Sequence, residues 1–176
     1  MDDQKNYKAR LAHINTLIFD FDGVLSDGMV LLNEEGHYLR RTNVKDGYAL
    51  QLAVKKGYRV AIISGAKAEG MYHRLYGLSL TDVHLGVPDK MVVYEQIKEK
   101  YQLKDENIIY MGDDIPDFKV MQKAGISACP IDAATEIKSI SDYISDRKGG
   151  EGCARDIIEQ VLKLHGKWMD DEAYKW

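Results

Sequence analysis

Near its beginning the chain reads Leu17-Ile18-Phe19-Asp20-Phe21-Asp22-Gly23-Val24-Leu25-Ser26-Asp27-Gly28. The apolar run from Thr16 to Phe19 is typical of a buried strand, and two carboxylates follow it directly. Residues two apart on a strand point to the same side, so Asp20 and Asp22 reach one spot at its C-terminal end. Gly23 then lets the chain turn away. Two carboxylates held this close repel each other unless a cation lies between them or one of them holds a proton.

Other interpretations of this motif must be weighed. Asp20 and Asp22 can be ordinary turn residues at the end of a strand. They can also begin an EF-hand calcium loop, which needs a glutamate at its twelfth position. Counted from Asp20 that position is Leu31, which excludes the EF-hand. The choice between a turn and a site depends on whether partner residues follow later strands.

The whole chain has the composition of a globular protein. It has 176 residues, 45% of them hydrophobic and 30% charged, which predicts a single domain, residues 1–176, with a substantial core. The net charge of -4 disfavours a nucleic-acid partner. The only two cysteines, Cys129 and Cys153, allow neither a disulfide framework nor a zinc pattern. Since no apolar run could span a bilayer and the segment Met1 to Asn15 is no signal peptide, we expect a cytoplasmic protein without a membrane partner.

Strand and helix patterns alternate through most of the chain, which predicts an α/β fold with a parallel sheet covered on both faces. The predicted strands are Thr16–Phe19, Tyr58–Ile63, Thr81–Leu85, Ile108–Met111, Ile126–Cys129 and Tyr143–Ile144. The predicted helices span about 48–56, 67–75, 91–101, 116–124, 134–140 and 153–164. The tail from Lys167 to Trp176 is expected to be mobile or to dock on a neighbour.

One segment interrupts this alternation. Two short strand-like runs flank a turn rich in Asn, Glu and Gly, which predicts a β-hairpin over about residues 29–41. The segment is too short to form a second domain. Its apolar side chains need cover, which either the chain's own domain or a partner subunit can supply, and we prefer the partner subunit.

Polar residues also follow later strands. Ser64-Gly65 ends the strand 58–63, where a hydroxyl and backbone N–H groups can receive a phosphate, although this pattern alone is common at helix starts. Lys90 begins a helix, where the helix dipole disfavours a cation unless it faces anions; considered alone, it reads as a surface lysine. Gly112-Asp113-Asp114 follows the strand 108–111. In combination, Asp20 and Asp113 can share a divalent ion, for which Mg²⁺ is best suited.

This ordered set resembles motifs one to four of the haloacid dehalogenase-like phosphatases over nearly the whole chain. The resemblance implies that Asp20 is the nucleophile and forms an aspartyl-phosphate. It implies that Asp22 is the general acid and then the general base, with its backbone carbonyl on Mg²⁺. It implies that Asp113 is the third contact of the metal. The remaining implied roles are phosphate binding by Ser64, Gly65 and Lys90, and support of neighbouring groups by Asp114 and Asp117.

Further features resemble the capless branch that contains 3-deoxy-D-manno-octulosonate (Kdo) 8-phosphate phosphatase. They are Asp27-Gly28, the lone hairpin, Asn43-Val44-Lys45-Asp46-Gly47, and Gly149-Gly150-Glu151-Gly152 with Arg155. The resemblance implies a three-layer Rossmann-like fold without a cap domain, and a homotetramer whose hairpins pack between subunits. It implies release of free Kdo in lipopolysaccharide biosynthesis. The alternatives are a nonulosonate 9-phosphate phosphatase and a module of the kind fused to cytidylyltransferases.

Contacts to the sugar acid are less specific. Lys67, Arg74 and Arg155 are candidates for its carboxylate, from this chain or from a neighbouring subunit, and otherwise are surface charges. Asn43 and Lys45 lie beside the aspartate loop and are either substrate contacts or ordinary helix-start residues.

Two functions of other classes stay open. The chain can be a non-catalytic regulatory subunit that binds a sugar phosphate, although binding alone would not need Asp22. It can also be a phosphotransferase or mutase, which would need a cap to exclude water.

Overall fold

The computed structural model describes residues 6–175, which contain eight strands. These are β1 (Thr16–Phe19), β2 (Leu31–Leu32), β3 (Tyr38–Leu39), β4 (Arg59–Ser64), β5 (Asp82–Leu85), β6 (Ile108–Met111), β7 (Ile126–Cys129) and β8 (Tyr143–Ile144). Six of them form one parallel sheet in the order β5-β4-β1-β6-β7-β8, while β2 and β3 pair antiparallel as a separate hairpin.

Helices cover both faces of the sheet. They are α1 (Tyr7–Arg10), α2 (Val44–Lys55), α3 (Glu69–Tyr76), α4 (Lys90–Tyr101), α5 (Phe118–Lys123), α6 (Thr135–Ile140) and α7 (Cys153–Leu164). One apolar core packs α2, α3 and α7 against the sheet, and a second core packs α4, α5 and α6 against its other face. The predicted three-layer α/β fold is thereby confirmed. Among the described helices, none is long and apolar enough to cross a membrane.

The central strand β1 is buried along its whole length because both faces are covered. Leu17 and Phe19 belong to one core and Ile18 belongs to the other. Burying side chains of this size stabilises the fold by about 2 kcal/mol each. Phe19 pairs with Ile62 of β4 and Met111 of β6, so the residues after these three strands meet at one edge.

Between β1 and α2, the described chain forms this hairpin and no further helix or strand. Its strands pair Leu31 with Leu39 and Leu32 with Tyr38. All four residues are at least half exposed.

Two helices begin at other residues than the sequence pattern predicts. Helix α2 starts at Val44 instead of Tyr48 because the Asn43 side chain accepts a hydrogen bond from Lys45 N at 2.8 Å. Gly47 lies inside this helix, close to Arg74, and a Cβ there would lie 2.3 Å from Arg74 Nη2. Helix α3 starts at Glu69 instead of Lys67, since Ala68 has extended backbone.

The C-terminal segment packs on its own chain, contrary to the expectation of a mobile or exchanged tail. Trp168 is buried in the core beside α2. Lys56 Nζ lies 2.5 Å from a carboxylate oxygen of both Asp170 and Glu172. Trp176, the second tryptophan of the tail, lies outside the described residues.

Candidate active site

A cavity of about 580 Å³ opens at the C-terminal edge of β1, β4 and β6. Parallel strands place the residues that follow them at this edge, which is where α/β sheets bind ligands. The cavity is lined by the residues predicted for chemistry, phosphate and metal binding: Asp20, Asp22, Ser64, Gly65, Lys90, Asp113, Asp114 and Asp117. The structure therefore brings together eight positions that are up to 97 residues apart in the chain.

Asp20, Asp113 and Asp117 form an acidic cluster, in which one carboxylate oxygen of each lies within 4.8 Å of the others. Burial, together with the charge of Asp117, raises the pKa of Asp20 to about 6, although Lys90 opposes this shift. Burial, together with the charges of Asp20 and Asp117, raises the pKa of Asp113 to about 8. Carboxylates in such surroundings favour a bound cation.

Two oxygens of this cluster fit a metal ion. Oδ1 of Asp20 and Oδ1 of Asp113 are buried and accept no hydrogen bond from a described residue. Lys90 Nζ lies 2.9 Å from Asp20 Oδ1 as an ion pair, but outside hydrogen-bond alignment. Because hard divalent cations prefer carboxylate oxygens, Asp20 and Asp113 are suited to bind one between them.

Gly23 allows the aspartate loop to approach this cluster. Its φ is +85°, which favours glycine, and a Cβ there would lie 2.0 Å from Asp113 Oδ2. Any other residue would therefore displace the Asp113 carboxylate.

Asp117 has no free oxygen for a metal. Its Oδ1 accepts hydrogen bonds from Lys90 Nζ at 2.7 Å and from the Tyr110 hydroxyl at 2.6 Å. Its Oδ2 accepts weaker ones from the backbone N–H groups of Asp113 and Asp114, at 3.3 and 3.5 Å. Asp117 therefore holds the Lys90 ammonium and the backbone that carries Asp113.

Tyr110 was missed from the sequence. It lies on β6 and is fully buried, which raises the pKa of its hydroxyl well above the ordinary value. The available signal was a tyrosine within an apolar strand, because a buried hydroxyl normally has a hydrogen-bond partner.

Two phosphate-binding candidates face the same space from neighbouring elements. Ser64 is buried at the end of β4, where its Oγ accepts a hydrogen bond from Ala66 N at 3.2 Å and can still donate its own proton. Lys90 is held between Asp20 and Asp117. Burial opposes its charge, but the two carboxylates outweigh this effect and raise the pKa of Lys90. The ammonium is therefore a fixed positive charge.

Asp22 is the most contacted of the aspartates in the first loop. Arg40, at the end of the hairpin, donates from Nε to Oδ1 at 2.7 Å and from Nη2 to Oδ2 at 2.8 Å. Ser26 Oγ donates to Oδ1 at 2.9 Å. Arg40 was missed from the sequence, where the signal was that the hairpin returns to the loop from which it starts.

The predicted sugar contacts fall into two groups. Lys67 and Arg74 line a second cavity of about 530 Å³ beside the first, between the hairpin and α3, together with Arg40. Lys119, also missed, lines the first cavity.

The other three predicted contacts line neither cavity. Asn43 caps α2 and donates to Gly150 O at 3.3 Å. Lys45 is exposed in the first turn of that helix. Arg155 ion-pairs with Glu159 at 3.4 Å and stacks over Trp168 at 5.0 Å, which directs it away from the site. Within one chain Asn43 and Arg155 have structural contacts. Since all three residues lie outside the two cavities, a substrate role for them would require a neighbouring subunit.

Asp114 lies at the rim of the first cavity. Its Oδ1 accepts a hydrogen bond from Ile115 N at 2.8 Å and caps the short 3₁₀ helix Ile115–Asp117. This capped 3₁₀ helix fixes the course of the chain between Asp113 and Asp117.

Sequence comparison relates the chain to known phosphatases. The model of the haloacid dehalogenase-like hydrolase family matches residues 83–157. The 3-deoxy-D-manno-octulosonate 8-phosphate phosphatase of Escherichia coli K12 is 36% identical over 165 residues, which cover 94% of this chain and 87% of the relative. The enzyme of that name from Yersinia pestis is 34% identical over 90% of this chain and 84% of its own length.

Solved structures of such enzymes superpose closely. The crystal structure of the Yersinia pestis phosphatase has a TM-score of 0.89 at 33% identity, covering 95% of this chain and 89% of that one. The Moraxella catarrhalis enzyme, crystallised with magnesium, phosphate and Kdo, has a TM-score of 0.86 at 31% identity, covering 89% and 90%. The chain therefore belongs to the haloacid dehalogenase-like hydrolase family, as a phosphatase related to the 3-deoxy-D-manno-octulosonate 8-phosphate phosphatases.

Proposed function

We propose that the chain hydrolyses Kdo 8-phosphate to free Kdo and phosphate with Mg²⁺, as one catalytic domain over residues 1–176. The observation that carries the proposal is the pair of buried carboxylate oxygens on Asp20 and Asp113, which accept no hydrogen bond from a described residue. They face a cavity that also contains the Lys90 ammonium. A phosphate bound there would meet both a metal site and a fixed positive charge.

In the proposed mechanism, Asp20 attacks phosphorus and forms an aspartyl-phosphate. Asp22 donates a proton to the leaving sugar oxygen and then accepts one from the attacking water. The transferring phosphoryl group is held by the Ser64 hydroxyl, by the Lys90 ammonium and by the backbone of Gly65. When bound by Asp20, Asp113 and the backbone carbonyl of Asp22, Mg²⁺ would neutralise charge on the phosphoryl oxygens.

The substrate assignment has its support in two findings. Relatives that match over most of the chain carry the name of this phosphatase. The second cavity adjoins the first and is lined by Arg40, Lys67 and Arg74, so it suits the carboxylate of a sugar acid. The free Kdo formed would serve lipopolysaccharide biosynthesis.

The exposed apolar hairpin supports a further part of the proposal, which is assembly into a homotetramer. Met29, Leu31, Leu32 and Tyr38 are all more than half exposed. Exposed apolar side chains concentrated on one hairpin are typical of a subunit interface.

The experiment that tests the activity is kcat/KM with Mg²⁺ for Kdo 8-phosphate, a nonulosonate 9-phosphate and an aryl phosphate. We expect a preference of at least about a hundredfold for Kdo 8-phosphate, equivalent to about 2.7 kcal/mol in the transition state. A preference for the nine-carbon substrate would favour the sister activity, and equal values would reject a sugar-acid substrate. Asp20→Asn should abolish turnover with an unchanged circular dichroism spectrum, and retained turnover would reject Asp20 as the nucleophile.

A further inference from the structure

Arg40 holds the carboxylate that the proposed mechanism needs for proton transfer. Its Nε lies 2.7 and 2.9 Å from the two oxygens of Asp22, and its Nη2 lies 2.8 Å from Oδ2. The Arg40 side chain is 9% exposed and the Asp22 side chain is 32% exposed, so this ion pair is partly buried. Arg40 Nη1 also donates to Tyr38 O at 2.9 Å, which ties the guanidinium to the hairpin.

This contact blocks the access that Asp22 needs for proton transfer. A general acid or base must come within hydrogen-bond distance of the atom that exchanges the proton. Both oxygens of Asp22 already accept from Arg40, and Oδ1 also accepts from Ser26. The leaving oxygen of a substrate can therefore reach Asp22 only after the guanidinium has moved.

The second cavity shows where the guanidinium can find another partner. Arg40 lines this space, as do Lys67 and Arg74, and neither of these two has a carboxylate partner among residues 6–175. Among the described residues that line it, Glu69 is the one acid, and its side chain is 88% exposed. The cavity thus has an excess of positive charge and suits an anionic group of a ligand.

We propose that Arg40 is a specificity-determining residue that the carboxylate of the substrate draws away from Asp22. The inference rests on the proposed function, because it concerns the same reaction and the same aspartate. Since one carboxylate replaces the other, the guanidinium keeps its charge-assisted hydrogen bonds during the exchange. A phosphate ester without a carboxylate leaves Arg40 on Asp22, so it binds but reacts slowly.

Arg41 offers a matched control. It is the next residue of the same hairpin and carries the same charge, but its side chain is 78% exposed and pairs with Asp27 at 2.8 Å. It does not line the second cavity.

The experiment measures kcat and KM of the full chain with Mg²⁺ on Kdo 8-phosphate and on ribose 5-phosphate, an alkyl ester that lacks the carboxylate. In Arg40→Ala we expect kcat/KM on Kdo 8-phosphate to fall about 30-fold, because the variant loses the charged hydrogen bonds to the substrate carboxylate. On ribose 5-phosphate we expect kcat to rise, because Asp22 becomes accessible. Arg41→Ala should leave the ratio between the two substrates unchanged.

An equal fall on both substrates in Arg40→Ala would overturn the proposal. A second measurement avoids the variant altogether: pyruvate, a small 2-oxo acid, is added to the unmodified enzyme with ribose 5-phosphate. We expect saturable activation, because the free carboxylate takes Arg40 from Asp22, and absence of activation would also overturn the proposal. If instead the unmodified enzyme shows no preference for Kdo 8-phosphate, the proposed function fails, while the pyruvate experiment still reports on Arg40.

Discussion

The ammonium of Lys90 lies 2.7 Å from Oδ1 of Asp117, and both side chains are buried in the lining of the candidate active site. Removing one member of a buried ion pair leaves the other charge uncompensated, which costs about 3–5 kcal/mol. Asp117 therefore compensates the positive charge of Lys90, whose ammonium also pairs with Asp20. This arrangement makes the hydroxyl of Tyr110, which also donates to Asp117, a positioning group for the whole cluster.

Tyr110→Phe tests this role. The variant removes one hydrogen bond to a charged acceptor, worth about 1.5–3 kcal/mol of unfolding free energy. Because Asp117 then holds Lys90 less firmly, we expect kcat to fall about tenfold, equivalent to about 1.4 kcal/mol, with KM nearly unchanged.

The matched control is Tyr94→Phe. Tyr94 is an equally buried tyrosine whose hydroxyl donates to Asp105 at 2.8 Å, outside the active-site cavity. It should lose comparable stability and keep its kcat. Equal kcat values in both variants would reject the positioning role of Tyr110.

Mg²⁺ binding should stabilise the protein, since Asp20 and Asp113 have buried oxygens without hydrogen bonds. At a magnesium concentration about 100 times Kd, binding adds about 2.7 kcal/mol to the unfolding free energy. For a chain of this size that raises Tm by about 5–10 °C. Differential scanning fluorimetry with magnesium and with a chelator measures the shift.

Asp113→Asn should lose this magnesium shift, because it removes one proposed metal ligand. Asp105→Asn is the control, since Asp105 pairs with Lys98 at 2.6 Å on another part of the surface. It should keep the full shift. The metal assignment is wrong if Asp113→Asn responds to magnesium as the unmodified protein does.

The sequence predicted which candidate residues lie together because these residues follow strands. Asp20 and Ser64 come directly after apolar runs, and Asp113 follows its run after one glycine. Parallel strands bring these ends together at one edge of the sheet, independently of the lengths of the loops. Residues whose position depends on tertiary contacts were harder to predict. Arg40 reaches Asp22 only because the hairpin folds back over the first loop.

Arg155 is another residue whose surroundings the sequence pattern does not predict. Arg155 was a candidate for the sugar-acid carboxylate of its own chain or of a neighbouring subunit. Within its own chain, the packing of α7 on α2 directs it towards Trp168, and the role in a neighbouring subunit stays a prediction. Sequence periodicity indicates that a helix is buried along one face, but it does not indicate which neighbour each end of the helix meets.

The proposed interface between hairpins can be tested by introducing a charged side chain into it. Leu31 is 67% exposed, so Leu31→Asp should cost a monomer little, but it would place a charge inside the proposed interface between subunits. We expect multi-angle light scattering to show particles smaller than the unmodified protein forms. Val92→Asp, at a similarly exposed position on α4, should not change the particle mass. An unchanged mass in Leu31→Asp would reject the hairpin as the interface.

Asp46 should make the stability of the protein depend on pH. Its carboxylate accepts hydrogen bonds from Gly152 N at 3.2 Å and Arg155 N at 2.7 Å, where α7 begins. Burial nevertheless raises its pKa to about 6, from an ordinary value of 3.8. A folded-state pKa above the unfolded value means that the folded protein binds the proton more tightly. The contribution of Asp46 to stability is therefore full below about pH 4 and is lost as the pH rises through about 6.

The measurement compares urea unfolding of the unmodified protein and Asp46→Asn at several pH values between 4 and 7.5. Asparagine does not titrate, so the difference in unfolding free energy, unmodified minus variant, should decrease by about 2 kcal/mol over this range. Other titrating groups, including Asp20 and Asp113, are present in both proteins and cancel in the difference. A difference that increases with pH would show that the two backbone N–H groups outweigh burial, and that Asp46 is a stabilising carboxylate cap of α7.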